Sequence, residues 1–151
     1  MPVTINELNT SAGGGGAADI FLFVQTKRAG KVAGEVVAAG HEDEIRLNGW
    51  NWGMAASSAI GSTQATGRRS YKALTVVKGI DAATTPLMSA LATNDEVKEA
   101  RLSMRKAGDG QNDFFVITLN AARVVSIDHL VGADGATIET VSFTFTKVKV
   151  E

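Results

Sequence analysis

The residues best able to bind a metal ion lie in the run His-Glu-Asp-Glu at positions 41–44. A metal site needs several imidazole, thiolate or carboxylate ligands that converge on one point. This run offers one imidazole, His41, preceded by a glycine, and its carboxylates are typical of a turn in water. We therefore interpret the run as a solvated turn, and the sequence predicts no metal site.

The nearest approach to a hydrolytic triad is the set Ser126, Asp128 and His129. Successive side chains of a strand point to opposite faces, so His129 lies on the face opposite to the other two. Those three residues therefore cannot act together as nucleophile, base and orienting group. The sequence has no Gly-x-Ser-x-Gly elbow, and we interpret the adjacent carboxylates Asp95 and Glu96 as solvated. No catalytic residue and no enzyme activity are predicted.

Trp50 and Trp52, with Arg68 and Arg69 later in the chain, have the composition of a platform for a sugar or a nucleotide. Tryptophans on a strand are more often core or interface anchors, and we favour that interpretation. A free-standing ligand-binding barrel is the alternative. The glycines at 13–16 lack the preceding strand and the Gly-Lys-Ser/Thr of a phosphate-binding loop, so the sequence predicts no cofactor.

Composition narrows the classes of function further. Lys and Arg number 15 and Asp and Glu number 16, a formal net charge of −1 that argues against nucleic-acid binding. The absence of cysteine excludes disulfides and thiol catalysis. The chain shows no recognisable signal peptide and no membrane-spanning run. The sequence therefore predicts assembly in the cytoplasm, and any export must use another route.

The 151 residues are predicted to contain a flexible glycine-rich leader at 1–17 and a single domain at 18–151. Within the domain, short apolar runs separated by glycine-containing turns predict six or seven antiparallel strands. The predicted fold is mainly β, with two antiparallel sheets that form a β-barrel or sandwich and one short flanking α-helix.

The helix is predicted at about 84–93. Thr85 is the predicted N-cap, and Pro86 occupies the first helical position, where its missing N–H costs nothing. The predicted apolar stripe consists of Leu87, Met88 and Leu91. Because a helix of this length is not stable alone, we expect it to pack against the sheet.

The last strand changes phase part-way along. Val141, Phe143 and Phe145 share one parity, but Val148 and Val150 fall on the other. A single core explains one apolar face, so we predict that the second block packs against an adjacent copy of the chain. A bulge that returns Val148 and Val150 to the same core is the alternative. The predicted subunit-interface residues are Trp50, Trp52, Tyr71, Val148 and Val150.

Several motifs, in order along residues 18–151, resemble the hemolysin-coregulated protein (Hcp) family. They are DIFL in the first strand, LNGWNWGM in the second and YKALTVVKGIDAATTPLMSAL across the next strand and the helix. The segments ARLSMRKAG, FFVITLNAARVVSI and VSFTFTKVKVE continue the resemblance to the end of the chain. The pattern is therefore identified as that of a type VI secretion tube protein.

The resemblance implies a two-sheet β-barrel that assembles as a hexameric ring without catalysis or cofactors. Rings would stack into a hollow tube inside the contractile sheath of a Gram-negative bacterium. The implied partners are further copies of the chain and the sheath, spike and effector proteins of the machine, which would secrete the tube without a signal peptide. The tail-tube subunit of a contractile phage or phage-like particle is the alternative.

In such a tube, the polar parity of one strand is predicted to line the lumen and contact cargo. These residues are Glu99, Arg101, Ser103 and Arg105. A wall that carries charges of both signs suits a water-filled channel. The other interpretation is that these residues form plain outer surface.

Overall fold

The computed structural model describes residues 18–57, 68–106 and 112–151, so the predicted leader lies outside the described residues. The strands are β1 Ala18–Thr26, β2 Gly30–Lys31, β3 Ile45–Leu47, β4 Gly49–Asn51, β5 Met54–Ala56, β6 Arg69–Tyr71, β7 Leu74–Lys78, β8 Val97–Lys106, β9 Asp113–Val131, β10 Thr137–Thr144 and β11 Lys147–Val150. The helix, α1, spans Thr84–Ala92. No helix among the described residues is long and apolar enough to cross a lipid bilayer.

The strands form one large antiparallel sheet and one small sheet, the β5–β6 hairpin. The order in the large sheet is β2-β1-β8-β9-β10-β7-β4, with β3 also paired to β1 and β11 also paired to β9. The predictions of a mainly-β fold, antiparallel neighbours and one short helix are confirmed.

The described strands of the large sheet cover one core without closing into a hydrogen-bonded barrel. β3 pairs with β1, and β4 pairs with β7 on the other side of the core. Only Asn48 separates β3 from β4, and its amide donates to the Val77 carbonyl at 2.7 Å. The run 45–51 therefore connects the two margins of the sheet across the position where a barrel would close.

Strand β9 contributes to the core through both of its halves, although it changes phase between them. The first half pairs with β8 and β11, and the second half pairs with β10. Ile117 and Leu119 are buried in the first half, whereas Ala122 and Val124 are buried in the second. Between them Ala121 has a φ of 48°, a left-handed conformation that changes which side chains face inward.

The phase slip near the C-terminus follows from the same division of β9. β10 pairs with the second half of β9, and β11 then pairs with the first half. Val141 and Phe143 are fully buried on β10. On β11, Val148 is partly buried against the same core, whereas Val150 is 47% exposed. Val148 therefore packs against the chain's own core, as the alternative interpretation of the sequence proposed, whereas Val150 does not.

Helix α1 lies where the sequence predicts it, but it turns a different face to the sheet. Its buried residues are Thr84, Leu87 and Ala90. Met88 and Leu91 are exposed, so the predicted stripe is wrong for these two residues. The N-cap is Ala83, without a side-chain cap, and the prediction of Thr85 as N-cap is wrong as well.

A buried polar cluster explains this orientation of the helix. Lys78 on β7 and Glu139 on β10 are both 0% exposed, and the Lys78 Nζ lies 2.7 Å from a Glu139 carboxylate oxygen. The Thr84 hydroxyl accepts a hydrogen bond from Nζ at 3.2 Å and donates one to Glu139 at 3.0 Å. Asp81 adds a second carboxylate oxygen 2.8 Å from Nζ. The inward-facing hydroxyl therefore joins the helix to β7 and β10.

Candidate assembly surfaces

Strand β11 borders the large sheet, and one side of its backbone has no partner among the described residues. Val116 and Glu151 exchange both backbone hydrogen bonds, at 3.0 and 2.9 Å. In an antiparallel pair, such residues alternate with residues whose N–H and C=O point away from the partner strand. Val148 and Val150 therefore direct their backbone groups to the open side, which we call the β11 edge.

Three aromatic side chains, Trp52, Tyr71 and Phe145, form an aromatic cluster beside the start of β11. Trp52 stacks on Tyr71 with ring centroids 6.3 Å apart, and Phe145 lies 6.3 Å from each of them. Tyr71 is 51% exposed. A groove of about 490 Å³ beside the cluster is lined by Tyr71, Phe145 and Val148. The fold thus brings three of the predicted interface residues, Trp52, Tyr71 and Val148, to one surface.

Trp52 also carries a polar atom that the described residues leave unsatisfied. Its indole Nε1 is excluded from solvent and has no hydrogen-bond acceptor among them. A buried donor without a partner costs about 1–3 kcal/mol. The aromatic cluster is therefore destabilising in this respect for the isolated chain.

Trp50, the remaining tryptophan of the predicted interface, packs elsewhere. Its ring stacks on Phe115 with centroids 5.8 Å apart, and both rings lie against the core. Its partner is thus a residue of the same chain. Val150 completes the predicted set on the β11 edge, two residues beyond Val148.

The β5–β6 hairpin lies beside the aromatic cluster and pairs only with itself among the described residues. Every side chain of Met54–Ala56 and Arg69–Tyr71 is exposed. At its base, the Lys72 amide donates to the Gly53 carbonyl at 2.8 Å. A two-stranded hairpin is at best marginally stable in water unless another element covers it. The hairpin is thus a second surface that the single chain leaves uncovered.

Two of the four residues predicted to line a lumen are accessible. Glu99 and Arg101 form an ion pair on the outer face of β8, and the Arg101 guanidinium lies 4.6 Å from the centre of the Phe23 ring. Ser103 and Arg105 are buried in the isolated chain. The Arg105 guanidinium donates a hydrogen bond to the Ala39 carbonyl, at 3.0 Å, in the segment before β3 that lies against it. The accessible polar wall therefore consists of Glu99, Arg101 and the ring of Phe23.

His41 is buried, and the interpretation of a solvated turn is wrong at this residue. Its Nδ1 lies 2.8 Å from Glu44 and its Nε2 lies 3.0 Å from Asp113. The imidazole stacks on Phe21 with ring centroids 4.3 Å apart. Asp113 is 72 residues away, so no local pattern could have indicated this contact. Among the described residues, no group of three or more potential ligands could hold a metal ion.

Asp95 and Glu96 are engaged by neighbouring groups, so their interpretation as solvated is also wrong. Burial disfavours the ionised form of Asp95, but hydrogen bonds from the Thr26 hydroxyl and the Arg28 amide outweigh it and keep the pKa of Asp95 below its usual value. A hydrogen bond from Lys27, 2.9 Å away, lowers the pKa of Glu96. Both carboxylates fix the β1–β2 turn to the start of β8.

No triad forms around His129. Its Nε2 lies 3.4 Å from the buried carboxylate of Glu139, on the inner side of the sheet. Ser126 pairs with Ser142 across the ladder, and Asp128 with Thr140. The alternation predicted from the sequence therefore places His129 on the face opposite to Ser126 and Asp128.

Comparison with known proteins shows related sequences and folds. The chain is 25% identical over 124 residues to the "Major exported protein" of Pseudomonas aeruginosa, which covers 76% of this chain and 72% of the relative. The crystal structure of Hcp1 from Salmonella typhimurium has a TM-score of 0.72 and 26% identity, and covers 89% of this chain and 87% of that one. A chain in the six-fold symmetrised baseplate of the anti-feeding prophage shares the fold alone, with a TM-score of 0.55 and 11% identity over 87% of this chain and 91% of that one.

The family model described as type VI secretion system effector, Hcp, matches residues 21–151. The match covers most of the chain and contains the β11 edge, the aromatic cluster and the accessible wall of β8. Hcp proteins are structural proteins of secretion and not enzymes, which confirms that prediction. The chain belongs to the Hcp family of type VI secretion proteins.

Proposed function

We propose that the chain is the tube subunit of a type VI secretion system, whose copies close into hexameric rings that stack into a hollow, exported tube. The observation that carries the proposal is the β11 edge, an unpaired strand margin beside an aromatic cluster whose Tyr71 ring is half exposed. An open strand edge invites pairing with another chain. A closed ring covers such an edge without producing an open aggregate.

A ring requires two different surfaces on each copy, because each subunit contacts its neighbours head to tail. One margin of the β1–β8–β9–β11 region is the β11 edge, where Lys147 and Lys149 are exposed. The segment at the other margin, between β2 and β3, carries the exposed acidic residues Glu35, Glu42 and Asp43. Opposite charges on the two margins favour a contact in one direction. We therefore pair the β11 edge of one copy with the β2–β3 margin of the next.

The β5–β6 hairpin is proposed to contact a neighbouring copy as well. Its exposed apolar residues, Met54 and Tyr71, lack a covering element in the single chain. A neighbour that covers the hairpin would stabilise it and would extend the apolar contact begun by the aromatic cluster.

The lumen is proposed to lie on the outer side of β1 and β8, where effector proteins would contact Glu99, Arg101 and Phe23. Lys31 adds a second cation, 5.6 Å from the centre of the Phe23 ring. We expect the charge reversal Arg101→Glu to reduce the amount of effector that co-purifies with the chain. The double change Glu99→Arg with Arg101→Glu keeps the pair and the net charge, and is the matched control. Full retention of effector by Arg101→Glu would remove this wall from the proposal.

Negative-stain electron microscopy of the purified full chain tests the proposed function. We expect uniform rings with six-fold symmetry and a central channel. A free-standing ligand-binding barrel, the alternative from another class of function, would instead give small particles without a channel.

The tail-tube subunit of a contractile phage-like particle is the second candidate. The shared fold with a chain of the anti-feeding prophage baseplate favours it, although that similarity concerns the fold alone. Neighbouring genes distinguish the two candidates. Genes for a type VI sheath and spike support the secretion tube, and genes for phage tail components support the alternative.

A further inference from the structure

Residues 32–44, between β2 and β3, form a strap over the outer face of β1. Phe21 faces away from the core, yet it is buried, because the His41 ring of the strap stacks on it. The strap folds back on itself through a hydrogen bond from the Asp43 amide to the Val36 carbonyl, at 2.8 Å. It also presents Val37, the most exposed large apolar residue described, at 91%.

Three side-chain hydrogen bonds tie the strap to elements later in the chain, in addition to the Lys31 hydrogen bond to the Glu42 carbonyl at 3.1 Å and the Arg101–Glu44 ion pair at 3.9 Å. The three hydrogen bonds join Glu35 to the Ala82 amide at 2.7 Å, Arg105 to the Ala39 carbonyl at 3.0 Å, and His41 to the Asp113 carboxylate at 3.0 Å. Glutamate and arginine keep their charges across neutral pH, whereas histidine is the side chain that titrates there. Of the three contacts, only the one through His41 can therefore change in that range.

The geometry around His41 specifies a protonation state. Ionised carboxylates only accept hydrogen bonds, and they lie 2.8 Å from Nδ1 and 3.0 Å from Nε2. Both ring nitrogens must therefore carry a proton for both contacts to be hydrogen bonds. In the neutral ring, one nitrogen would turn a lone pair toward a carboxylate and lose that hydrogen bond. Because His41 is only 6% exposed, a water molecule cannot readily replace the lost hydrogen bond.

Apart from Glu42 on the strap itself, the other charged groups around this ring are basic. Arg105 of β8 and Arg46 of β3 lie over the Phe21 ring at 5.0 and 5.8 Å, and Arg101 of β8 lies 3.9 Å from Glu44. Glu42, on the strap itself, accepts a hydrogen bond from the Gly40 amide. Arginine stays protonated throughout the range in which histidine titrates, so these positive charges do not change with the imidazole.

We propose that His41 is a protonation-dependent latch: the imidazolium, hydrogen-bonded to Glu44 within the strap, holds the strap on Asp113, and loss of its proton releases the strap from β9. Release would expose Phe21 and increase the exposure of Arg105. It would also move Val37 and the acidic residues that the strap presents. The surface of the subunit would thus depend on the protonation state of His41.

Nuclear magnetic resonance of the full chain tests the first half of the latch. The sequence has only two histidines, and the change His129→Gln leaves His41 as the single imidazole. We expect the nitrogen shifts of His41 to show protons on both ring nitrogens near pH 5.5 and on one near pH 8.5, on either side of the range where histidine titrates. A neutral ring at both pH values would overturn the proposal.

Amide hydrogen exchange tests the second half. After correction for the intrinsic rates, we expect protection of the Asp43 and Val36 amides to fall at least about tenfold from the lower to the higher pH, because hydrogen bonds to charged groups contribute about 1.5–3 kcal/mol. Amides of α1 and β10 should keep their protection and report the intact fold. Equal strap protection at both pH values would overturn the proposal.

The variant Asp113→Asn provides the matched control. An asparagine amide can donate to Nε2 while Nδ1–H donates to Glu44, so a neutral His41 satisfies both contacts. We expect the strap of this variant to remain protected at both pH values. The variant His41→Phe, which keeps the stacking on Phe21, should show low protection at both. Retention of the wild-type pH dependence in either variant would contradict the latch.

Discussion

The helix end and the hairpin end of the molecule differ in how completely the chain satisfies its own groups. β7 and β10 run through both ends. At the helix end, Lys78 and Glu139 are fully buried and have each other and Thr84 as partners. At the hairpin end, the Trp52 indole N–H is buried without an acceptor among the described residues, and Tyr71 is half exposed.

This difference separates two kinds of interaction along the same strands. The cluster at the helix end pairs both of its charges within the folded chain, so the loss of one partner would leave the other charge buried and unpaired. The groups at the hairpin end are incompletely satisfied within the chain, and we propose that they contact neighbouring copies. Substitutions at the helix end should therefore change the free energy of unfolding, and those at the hairpin end should change association.

The largest effect is expected for Lys78→Met at the helix end. The change leaves the Glu139 charge buried without its main partner, which should lower the free energy of unfolding by about 3–5 kcal/mol. Urea unfolding at one fixed protein concentration measures it. The double change Lys78→Met with Glu139→Leu removes both charges and should recover most of the loss. A single-variant loss below about 1 kcal/mol, the size of an ordinary substitution, would contradict the role of the cluster.

The β11 edge can be tested by a pair of prolines. The Val150 N–H points to the open side, where proline is tolerated in an edge strand, so Val150→Pro should leave the monomer folded and abolish rings. By the same alternation, the Lys149 N–H bonds to β9, so Lys149→Pro should destabilise β11 itself. Circular dichroism and sedimentation velocity separate the two outcomes. Intact rings of Val150→Pro would exclude the β11 edge from the contact.

The aromatic cluster should give a smaller effect on association. Tyr71→Ser removes a half-exposed ring, so we expect a loss of about 2 kcal/mol in association, typical of an interface hot spot. Concentration-dependent sedimentation measures the loss. Leu130→Ser removes another exposed apolar side chain, far along β9, and should leave association unchanged. Equal effects of the two substitutions would show that the cluster has no special role.

The smallest effect is expected on the acid side of the pH–stability curve. The lowered pKa of Asp95 means that its ionised form stabilises the fold above the usual aspartate pKa, and that this stabilisation is lost as pH falls through the folded-state pKa. Asp95→Asn should therefore flatten the decline of stability between about pH 5 and pH 3. Asp128→Asn, at an exposed residue, is the control. An unchanged acid slope in Asp95→Asn would contradict the assignment.

The sequence predicts the elements of this fold better than the faces that they bury. The long strands and the helix near 84–93 follow from apolar periodicity and turn residues, and the family follows from motifs along the chain. The sequence predicts six or seven strands, however, whereas the described residues form eleven, and the short β2 and the β5–β6 hairpin were not predicted. The left-handed Ala121 carries no signal, since alanine has no preference for positive φ. The rotation of α1 depends on Lys78 and Glu139, which are 61 residues apart and meet only in the folded sheet.

The candidate surfaces were predictable in the same partial way. The parity change at Val148 indicates that the last strand is irregular, but only the register with β9 shows that Val148 turns inward and Val150 outward. His41 was missed because its partner lies on β9. A histidine followed three residues later by a glutamate was the one local signal of a paired imidazole.

The most direct test of the account is the mass of the full chain in solution, measured by sedimentation equilibrium at tens of micromolar. We expect a closed hexamer for the wild-type chain and a monomer for Val150→Pro. A strictly monomeric wild-type chain at that concentration would contradict the central claim that copies of the chain cover its open edge and aromatic cluster.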